Sequence, residues 1–143
     1  MANKEMNYKS VWEKLRKVDI SNKLVSKMGL DYLGWADAWS LFMSSFPQAT
    51  YIFDEPTFFG VEGKKTCMVT CTIYIGKLER SWSLPVMTAS MPMKSIIEPS
   101  SRDISDAQAR AFVKVMAMFG LGLHLWEKRD TRPKVVNLNE KPF

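Results

Sequence analysis

The sequence contains few of the residues on which metal sites, disulfides and nucleophilic catalysis depend. It has one histidine, His124, and two cysteines, Cys67 and Cys71, among 143 residues. In an extended strand, residues four positions apart lie roughly 13 Å from each other, which is too far for a disulfide. A zinc site needs more ligands at tighter spacing than these residues provide. We therefore interpret the cysteines as small buried thiols and expect no metal or other cofactor.

Motifs for nucleotide binding and for a nucleophilic active site are also missing. There is no G-x-S-x-G elbow, and the single histidine would have to serve every role in a catalytic triad. The segment Gly60–Lys65 lacks the P-loop spacing, and Gly120–Gly122 is only a fragment of a dinucleotide fingerprint. These absences argue against an enzyme.

The sequence also lacks a long apolar run. None approaches the roughly 20 residues of a membrane span, and the N-terminal MANKEMNYKS does not resemble a signal peptide. This predicts a cytoplasmic protein with no membrane partner. Hydrophobic residues make up 46% of the chain, which is enough for a core, and 143 residues predict one domain. The net charge of +5 is compatible with a polyanionic partner but does not require one.

The longest predicted helix covers residues 105–126. Ser105 stands where an N-cap belongs, and Gln108 completes a capping box. Arg110 and Lys114 lie four positions apart and therefore share a face of this helix. The helix thus has an apolar side that packs on other elements and a basic strip that it presents to something else.

Glycines interrupt the end of that helix, and three helical segments are predicted before it. Gly120 and Gly122 either end the helix in a left-handed cap or let another backbone pass close by. Earlier in the chain, the predicted helices are an amphipathic one over 9–18, a short one from Asn22 to Met28 closed by Gly29, and one over 32–46 that is capped by Asp31 and ends at Pro47.

An aromatic stripe runs along the predicted helix 32–46. Trp35, Trp39, Phe42 and Phe46 follow each other at helical spacing. Large rings gain most from burial, so the stripe predicts core packing. A stacking platform for nucleic-acid bases is the functional alternative.

From Thr50 the hydrophobic period changes from 3.6 to 2, which indicates strands. The predicted strands are 50–53, 58–62, 66–75 and 79–86. The side chains that alternate inward are Cys67, Val69, Cys71, Ile73 and Ile75, followed by Trp82, Leu84 and Val86. Residues 87–104 have no period and are predicted to form a long loop. The expected fold is α+β, with an antiparallel β-meander packed against the long helix.

Three blocks of the sequence resemble phage single-strand DNA annealing proteins of the Sak type. The first is Leu33–Trp39 followed by Phe46–Tyr51, the second is Trp82–Met87, and the third is Ala111–Leu123 with its sharpest part at Ala117–Leu123. They come in the family's order and cover roughly residues 32–126. Such proteins belong with the Erf-like and RAD fifty-two-like annealing superfamily.

The resemblance implies a meander on a long helix and protomers joined into a ring or filament. Single-stranded DNA would lie in a basic groove, with phosphates toward the protein and bases outward, and no nucleotide would be hydrolysed. The implied role is annealing in phage-type homologous recombination within the host cytoplasm, and a single-strand-binding protein is a further candidate partner. The expected division is a basic helical arm at 1–30, an annealing core at 31–126 and a polar tail at 127–143.

An annealing protein holds the DNA backbone by charge, so basic side chains are the candidate DNA-binding residues. We expect the strongest contribution from Arg110 and Lys114 on the long helix. The remaining candidates lie in the two hairpin turns and the long loop: Lys64, Lys65, Lys77, Arg80, Lys94 and Arg102.

Two other functions remain open from the sequence. One is a small-ligand-binding or enzymatic α+β domain, whose apolar pocket would be lined by Trp35, Trp39, Trp82 and Met116. The other is an interaction module that binds a protein through an exposed sheet edge.

Overall fold

The computed structural model describes residues 6–27, 30–90 and 92–127. Its elements belong to two compact units, one made of the chain up to Pro47 and from Met116 onward, the other of Gln48–Val115. In chain order the described residues form α1 (Tyr8–Arg16), β1 (Leu24–Lys27), β2 (Leu30–Leu33), α2 (Trp35–Ser45), β3 (Thr50–Phe53), β4 (Thr57–Phe59), β5 (Thr66–Ile75), β6 (Leu78–Pro85) and α3 (Ser101–Met118). Helices combined with antiparallel sheets confirm the predicted α+β class.

Helix α1 of the first unit confirms the amphipathic helix predicted at 9–18. It begins with a reciprocal capping box, in which the Asn7 side chain accepts a hydrogen bond from the Ser10 amide at 2.9 Å. Val11 and Leu15, four positions apart, are fully buried. The Lys14 ammonium donates to the Ser45 carbonyl at 3.2 Å, which ties α1 to the end of α2.

The helix predicted from Asn22 to Met28 is wrong. The chain forms a 3₁₀ turn at Ser21–Lys23 and then β1, which pairs with β2 in an antiparallel hairpin. Gly29, the predicted helix end, lies outside the described residues. Strand β1 has only four residues, which is too few for the alternation of a strand to be recognised among the neighbouring lysines.

Asp31 does not cap α2, contrary to the sequence-based expectation. It lies in β2, where its carboxylate accepts a hydrogen bond from the Ser26 hydroxyl at 2.9 Å across the hairpin. Helix α2 begins at Trp35, with Gly34 at the N-cap and no side-chain cap. The aspartate is therefore used by the hairpin and is too early in the chain to cap the helix.

The aromatic stripe of α2 is only partly core. Phe42 and Phe46 are buried, and Phe42 packs edge-on against Phe119 with ring centroids 5.8 Å apart. Trp39 is half-buried and stacks on Phe42 at 5.8 Å. Trp35 is 53% exposed, so the core prediction is wrong for this residue. It occupies the first helical position, directly after the exposed Gly34.

The sheet of the second unit is organised around β5. Strand β6 pairs along one side of β5, and both β3 and β4 pair along the other side. The register of β4 on β5 is shifted by one residue relative to β3, and the bulge lies at Asp54–Pro56. The meander therefore has three rows, because β3 and β4 are two halves of one broken edge strand. Strand β4 ends before the predicted residue 62, since Gly60 turns the chain with φ +99°.

The inward face of β5 confirms the alternation read from the sequence. The fully or nearly fully buried residues are Cys67, Val69, Cys71, Ile73 and Ile75. In β6, Leu84 is buried, and so is Val86 just beyond the strand, whereas Trp82 is 36% exposed. Trp82 thus shares the inward face with Leu84 but is not buried as Leu84 is.

Helix α3 starts earlier and ends earlier than predicted. The working capping box is Ser100 with Asp103: the Asp103 amide donates to the Ser100 hydroxyl at 3.1 Å, and the Asp103 carboxylate accepts from the Ser100 amide at 2.9 Å. Ser105 and Gln108 therefore lie inside the helix. Because α3 begins at Ser101, the loop predicted at 87–104 is shorter than expected. Within it, Met87 and Ser95 form an isolated antiparallel β-bridge.

Gly120 ends α3 and also permits a close backbone approach. The Leu121 amide donates to the Met116 carbonyl at 3.0 Å, a Schellman arrangement around Gly120, whose φ is +123°. A Cβ at Gly120 would lie 3.0 Å from the carbonyl oxygen of Trp12 in α1. Residues after this turn form a separate 3₁₀ turn at Leu123–Leu125, so the predicted continuation to Trp126 is wrong.

Candidate functional site

Arg110 and Lys114 lie on α3 beside strand β6. The Arg110 guanidinium approaches the carbonyl oxygen of Met87, just beyond the end of β6, at 3.5 Å. The Lys114 ammonium lies 5.7 Å from the centre of the Trp82 ring in β6. Both basic side chains are half-buried, so their positions are constrained by the elements around them. The predicted basic strip of the long helix therefore follows one edge strand of the sheet.

Two further cations continue this line along β6. Trp82 pairs with Cys71 and Arg80 pairs with Ile73, so both side chains project to the face that carries the buried side chains of β5. Residues two apart in a strand are separated by roughly 7 Å, which places Arg80 one step beyond Trp82. Lys77 follows in the tight turn that joins β5 to β6.

We call this set the β6 cation row, and it consists of Arg110, Lys114, Arg80 and Lys77. Its order along β6 follows from the contacts at Met87 and Trp82 and from the strand register. All of its members lie within Gln48–Val115. The arrangement offers successive positive charges along a strand edge, with one exposed aromatic ring between them. This chemistry suits a polyanion with a regular charge spacing.

The other predicted cations lie near the opposite end of β5. Lys64 and Lys65 precede the strand, and Glu98 binds the Lys65 backbone through an amide-to-carbonyl bond of 2.7 Å and an amide-to-carboxylate bond of 2.8 Å. Lys94 precedes Ser95, the bridge partner of Met87, and Arg102 lies in the first turn of α3 soon after Glu98. The ten residues of β5 span roughly 30 Å, so this group is separate from Lys77 and Arg80.

Trp82 lies on the inward face that the sequence predicted, but it is only partly buried. Its alternation with Leu84 predicted burial, and the alternative function used it as a pocket wall. Its exposure and its contact with Lys114 place it within the β6 cation row. Pro85 was the available sequence signal, because proline near a strand end indicates an edge position.

The opposite edge of the sheet has a different character. The segment 48–63 contains Asp54, Glu55 and Glu62 and no lysine or arginine. Its exposed apolar side chains include Ile52, Phe58, Phe59 and Val61. We call this segment the acidic edge. No strand among the described residues pairs with the outer side of β3, β4 or β6. One edge thus carries acidic and apolar side chains, and the other carries the β6 cation row together with Glu79.

The cysteines are buried thiols, as the sequence predicted. Cys67 and Cys71 are both free and buried in β5. Burial raises the pKa of each thiol, and for Cys71 burial together with the nearby Asp54 carboxylate raises the pKa to about 12. Both side chains are therefore neutral and unreactive near pH 7. Within residues 6–27, 30–90 and 92–127, no group of three His, Cys, Asp or Glu side chains could hold a metal ion.

The residues proposed for an apolar pocket differ in exposure. Met116 is fully buried and Trp39 half-buried, whereas Trp35 and Trp82 are exposed. Trp35, Trp39 and Met116 belong to the first unit and Trp82 to the second. The pocket stays a prediction. In the part of the chain that the structure describes, no helix is long and apolar enough to cross a membrane.

Comparison with known proteins gives one family. A family model described as Sak Single Strand Annealing Protein matches residues 9–141 of this chain. That range includes every candidate cation named above, all of the second unit and most of the first. Among curated proteins, none matches the sequence significantly.

Proposed function

This chain belongs to the Sak single strand annealing protein family, and we propose that it binds single-stranded DNA and pairs complementary strands without hydrolysing a nucleotide. Its role would be in phage-type homologous recombination, in the host cytoplasm. The structural observation that carries the proposal is the β6 cation row, which aligns charges from α3, β6 and the β5–β6 turn. Annealing of this kind needs no catalytic group.

The β6 cation row acts on the DNA backbone. Lysine and arginine side chains neutralise phosphates and release counterions, which gives affinity that does not depend on sequence and that weakens as salt rises. Arg110 and Lys114 are already positioned by their contacts at Met87 and Trp82, so little side-chain freedom is lost on binding. The second group of cations, Lys64, Lys65, Lys94 and Arg102, would extend the path of the strand.

We further propose that protomers join into a ring or a filament through unlike sheet edges. The acidic edge of one protomer would pair with the β6 edge of the next, as exposed edge strands do when they extend a sheet. Such a contact is head-to-tail, so it produces a closed ring or an open filament. Edge pairing uses backbone groups of β6, and the acidic edge of the neighbour also attracts the β6 cation row, so the mass of the Arg110→Glu, Lys114→Glu variant has to be measured together with its DNA affinity.

The tail is proposed to contribute through partners. A single-strand-binding protein is the candidate partner of residues 127–143, most of which lie outside the described part of the chain. The division into an arm at 1–30, a core at 31–126 and a tail at 127–143 likewise stays a prediction.

The binding site is tested by reversing charge at two positions of the β6 cation row. The double change Arg110→Glu and Lys114→Glu should weaken binding of a labelled oligo(dT) at least tenfold at low salt, because attraction at two phosphates becomes repulsion. The matched control is Lys9→Glu with Lys17→Glu, which changes the net charge equally at exposed positions in α1 and directly after it. Fluorescence anisotropy measures affinity, and circular dichroism with thermal unfolding verifies the fold.

Neutral variants keep the test valid if glutamate disturbs α3. Replacing both residues with glutamine should reduce the slope of log affinity against log salt by about 1.4, since each phosphate contact on a single strand contributes about 0.7. Binding equal to the parent in both double variants would exclude this site. Equal loss in the α1 control would show that only net charge matters.

A further inference from the structure

Trp82 is a partly exposed aromatic residue on the β6 edge. Its side chain is 36% exposed on β6, between the position of Arg110 and that of Arg80 in the β6 cation row. Its ring is therefore partly open to solvent, and an aromatic ring offers its open face to another flat ring in stacked or edge-on packing. Its opposite residue in β5, Cys71, is fully buried, which anchors this point of the strand to the core.

Lys114 links this ring to the charges of the row. Its ammonium lies 5.7 Å from the centre of the Trp82 ring, within the range of a cation–π contact. A phosphate drawn to Lys114 therefore arrives beside the indole, and the base attached to the same nucleotide comes within its reach. Phosphate attraction and an aromatic surface at one point are the combination that proteins use to hold single strands.

We propose that Trp82 stacks on a base of the bound strand and makes the β6 cation row selective for single-stranded over double-stranded DNA. This inference rests on the proposed function and assigns a further residue to it; at this one position a base lies against the protein, unlike the outward bases that the family resemblance implies. Stacking uses the face of a base and leaves its Watson–Crick edge available, so a stacked base still pairs with an incoming strand. In a duplex, both faces of each base are already covered by neighbours, so Trp82 adds affinity only for an unpaired strand.

The test compares two oligonucleotides that carry the same phosphates. One is oligo(dT), and the other is an abasic strand of equal length. Since stacking on an aromatic side chain contributes on the order of fivefold or more per base, the parent should bind oligo(dT) at least fivefold more tightly than the abasic strand. Trp82→Leu should lose this preference and keep its affinity for the abasic strand within twofold. Trp82→Phe, which retains a ring, should keep most of the preference.

The control is Trp35→Leu, another exposed tryptophan, which lies in the first unit. It should retain the parental preference for bases. A second readout is tryptophan fluorescence: oligo(dT) should quench the parent more than Trp82→Phe at equal saturation. Thermal unfolding of each variant establishes that the fold is retained.

The contrary outcomes are distinct. If Trp82→Leu weakens both ligands equally, Trp82 only positions Lys114 and the stacking assignment is wrong. If the parent binds both ligands equally well, the inference fails while the proposed function stands. If the parent binds neither strand at any salt concentration, the proposed function itself fails. If Trp82→Leu still prefers oligo(dT) over the abasic strand and Trp35→Leu does not, the stacking residue is Trp35 in α2.

Discussion

Cys71 illustrates how burial sets the chemistry of a single residue in this protein. It lies inside β5 with no exposed surface, and burial together with Asp54 raises its pKa from 9.0 to about 12. The unfolded chain releases the thiol proton at a lower pH than the folded chain does. Between pH 9.0 and about pH 12, the free energy of unfolding therefore falls as pH rises. Below about pH 9 the thiol does not make the free energy of unfolding depend on pH.

A Cys71→Ala variant should lose the part of the alkaline destabilisation that ionisation of Cys71 causes. It will be less stable than the parent at neutral pH, because a buried side chain is shortened. The difference in free energy of unfolding between the parent and the variant should narrow by up to about 1.4 kcal/mol per pH unit above pH 9, since only the parent has the Cys71 thiol with its raised pKa. Urea unfolding at pH 7.5, 9.5 and 10.5 measures the gap. A gap that is constant or widens with pH would contradict the assignment.

At the same scale, the sequence predicted buried residues well and edge residues poorly. The alternation from Cys67 to Ile75 identified five buried positions, because a central strand buries one whole face. Trp82 follows the same alternation in β6, yet it is exposed. Period alone cannot distinguish a central strand from an edge strand, since that difference depends on which strands pair.

Among the elements, α3 shows where local signals fail. Two capping patterns occur five residues apart, Ser100 with Asp103 and Ser105 with Gln108. Both satisfy the same local rule, so the sequence gives no basis for choosing between them. The structure uses the first pattern. Two residues before Ser100, Glu98 binds the Lys65 backbone at the start of β5. A tertiary contact therefore decides where the helix begins.

Paired alanine substitutions test the start of α3. Ser100→Ala should lower the free energy of unfolding by about 1 kcal/mol, because the Asp103 amide loses its capping partner. Ser105→Ala should change it by a few tenths of a kcal/mol at most, since Ser105 is exposed inside the helix. Urea unfolding of both variants measures the difference. A larger loss at Ser105 than at Ser100 would place the helix start where the sequence alone suggested.

Long elements were predicted more accurately than short ones for a physical reason. Strand β5 and helix α1 contain enough residues for their period to appear. The hairpin strand β1 has four residues and was interpreted as helix. The sequence predicted 50–53 and 58–62 as separate strands, but it did not predict that both pair with β5, because strand order is a property of the whole sheet.

For the molecule as a whole, the distribution of charge between the sheet edges is the feature that the account depends on. The sequence divided the predicted cations among the long helix, the two hairpin turns and the long loop. The structure places Lys77 and Arg80 at one end of β5, and Lys64, Lys65, Lys94 and Arg102 near the other end, where Arg110 also contacts Met87. Sequence separation does not show which end of a sheet a turn occupies, so this division required the strand register.

Assembly through unlike edges predicts a charge-sensitive oligomer. The parent should be several times heavier than its 16.4 kDa chain in multi-angle light scattering. Reversing charge in the acidic edge, with Glu55→Lys and Glu62→Lys, should shift it toward the mass of one chain, because two basic edges would then face each other. The equal-charge control is Glu13→Lys with Asp37→Lys, both in the first unit. A parent that remains a monomer at every salt concentration would contradict this assembly.

The most direct test of the central claim is the rate at which two complementary labelled oligonucleotides form a duplex without ATP. The parent should raise this rate well above the spontaneous rate at low salt, and the effect should disappear as salt rises. Arg110→Glu with Lys114→Glu should abolish the acceleration, whereas Lys9→Glu with Lys17→Glu should retain it. A rate equal to that of the DNA alone, from a folded parent at low salt, would contradict the claim that this protein anneals single strands.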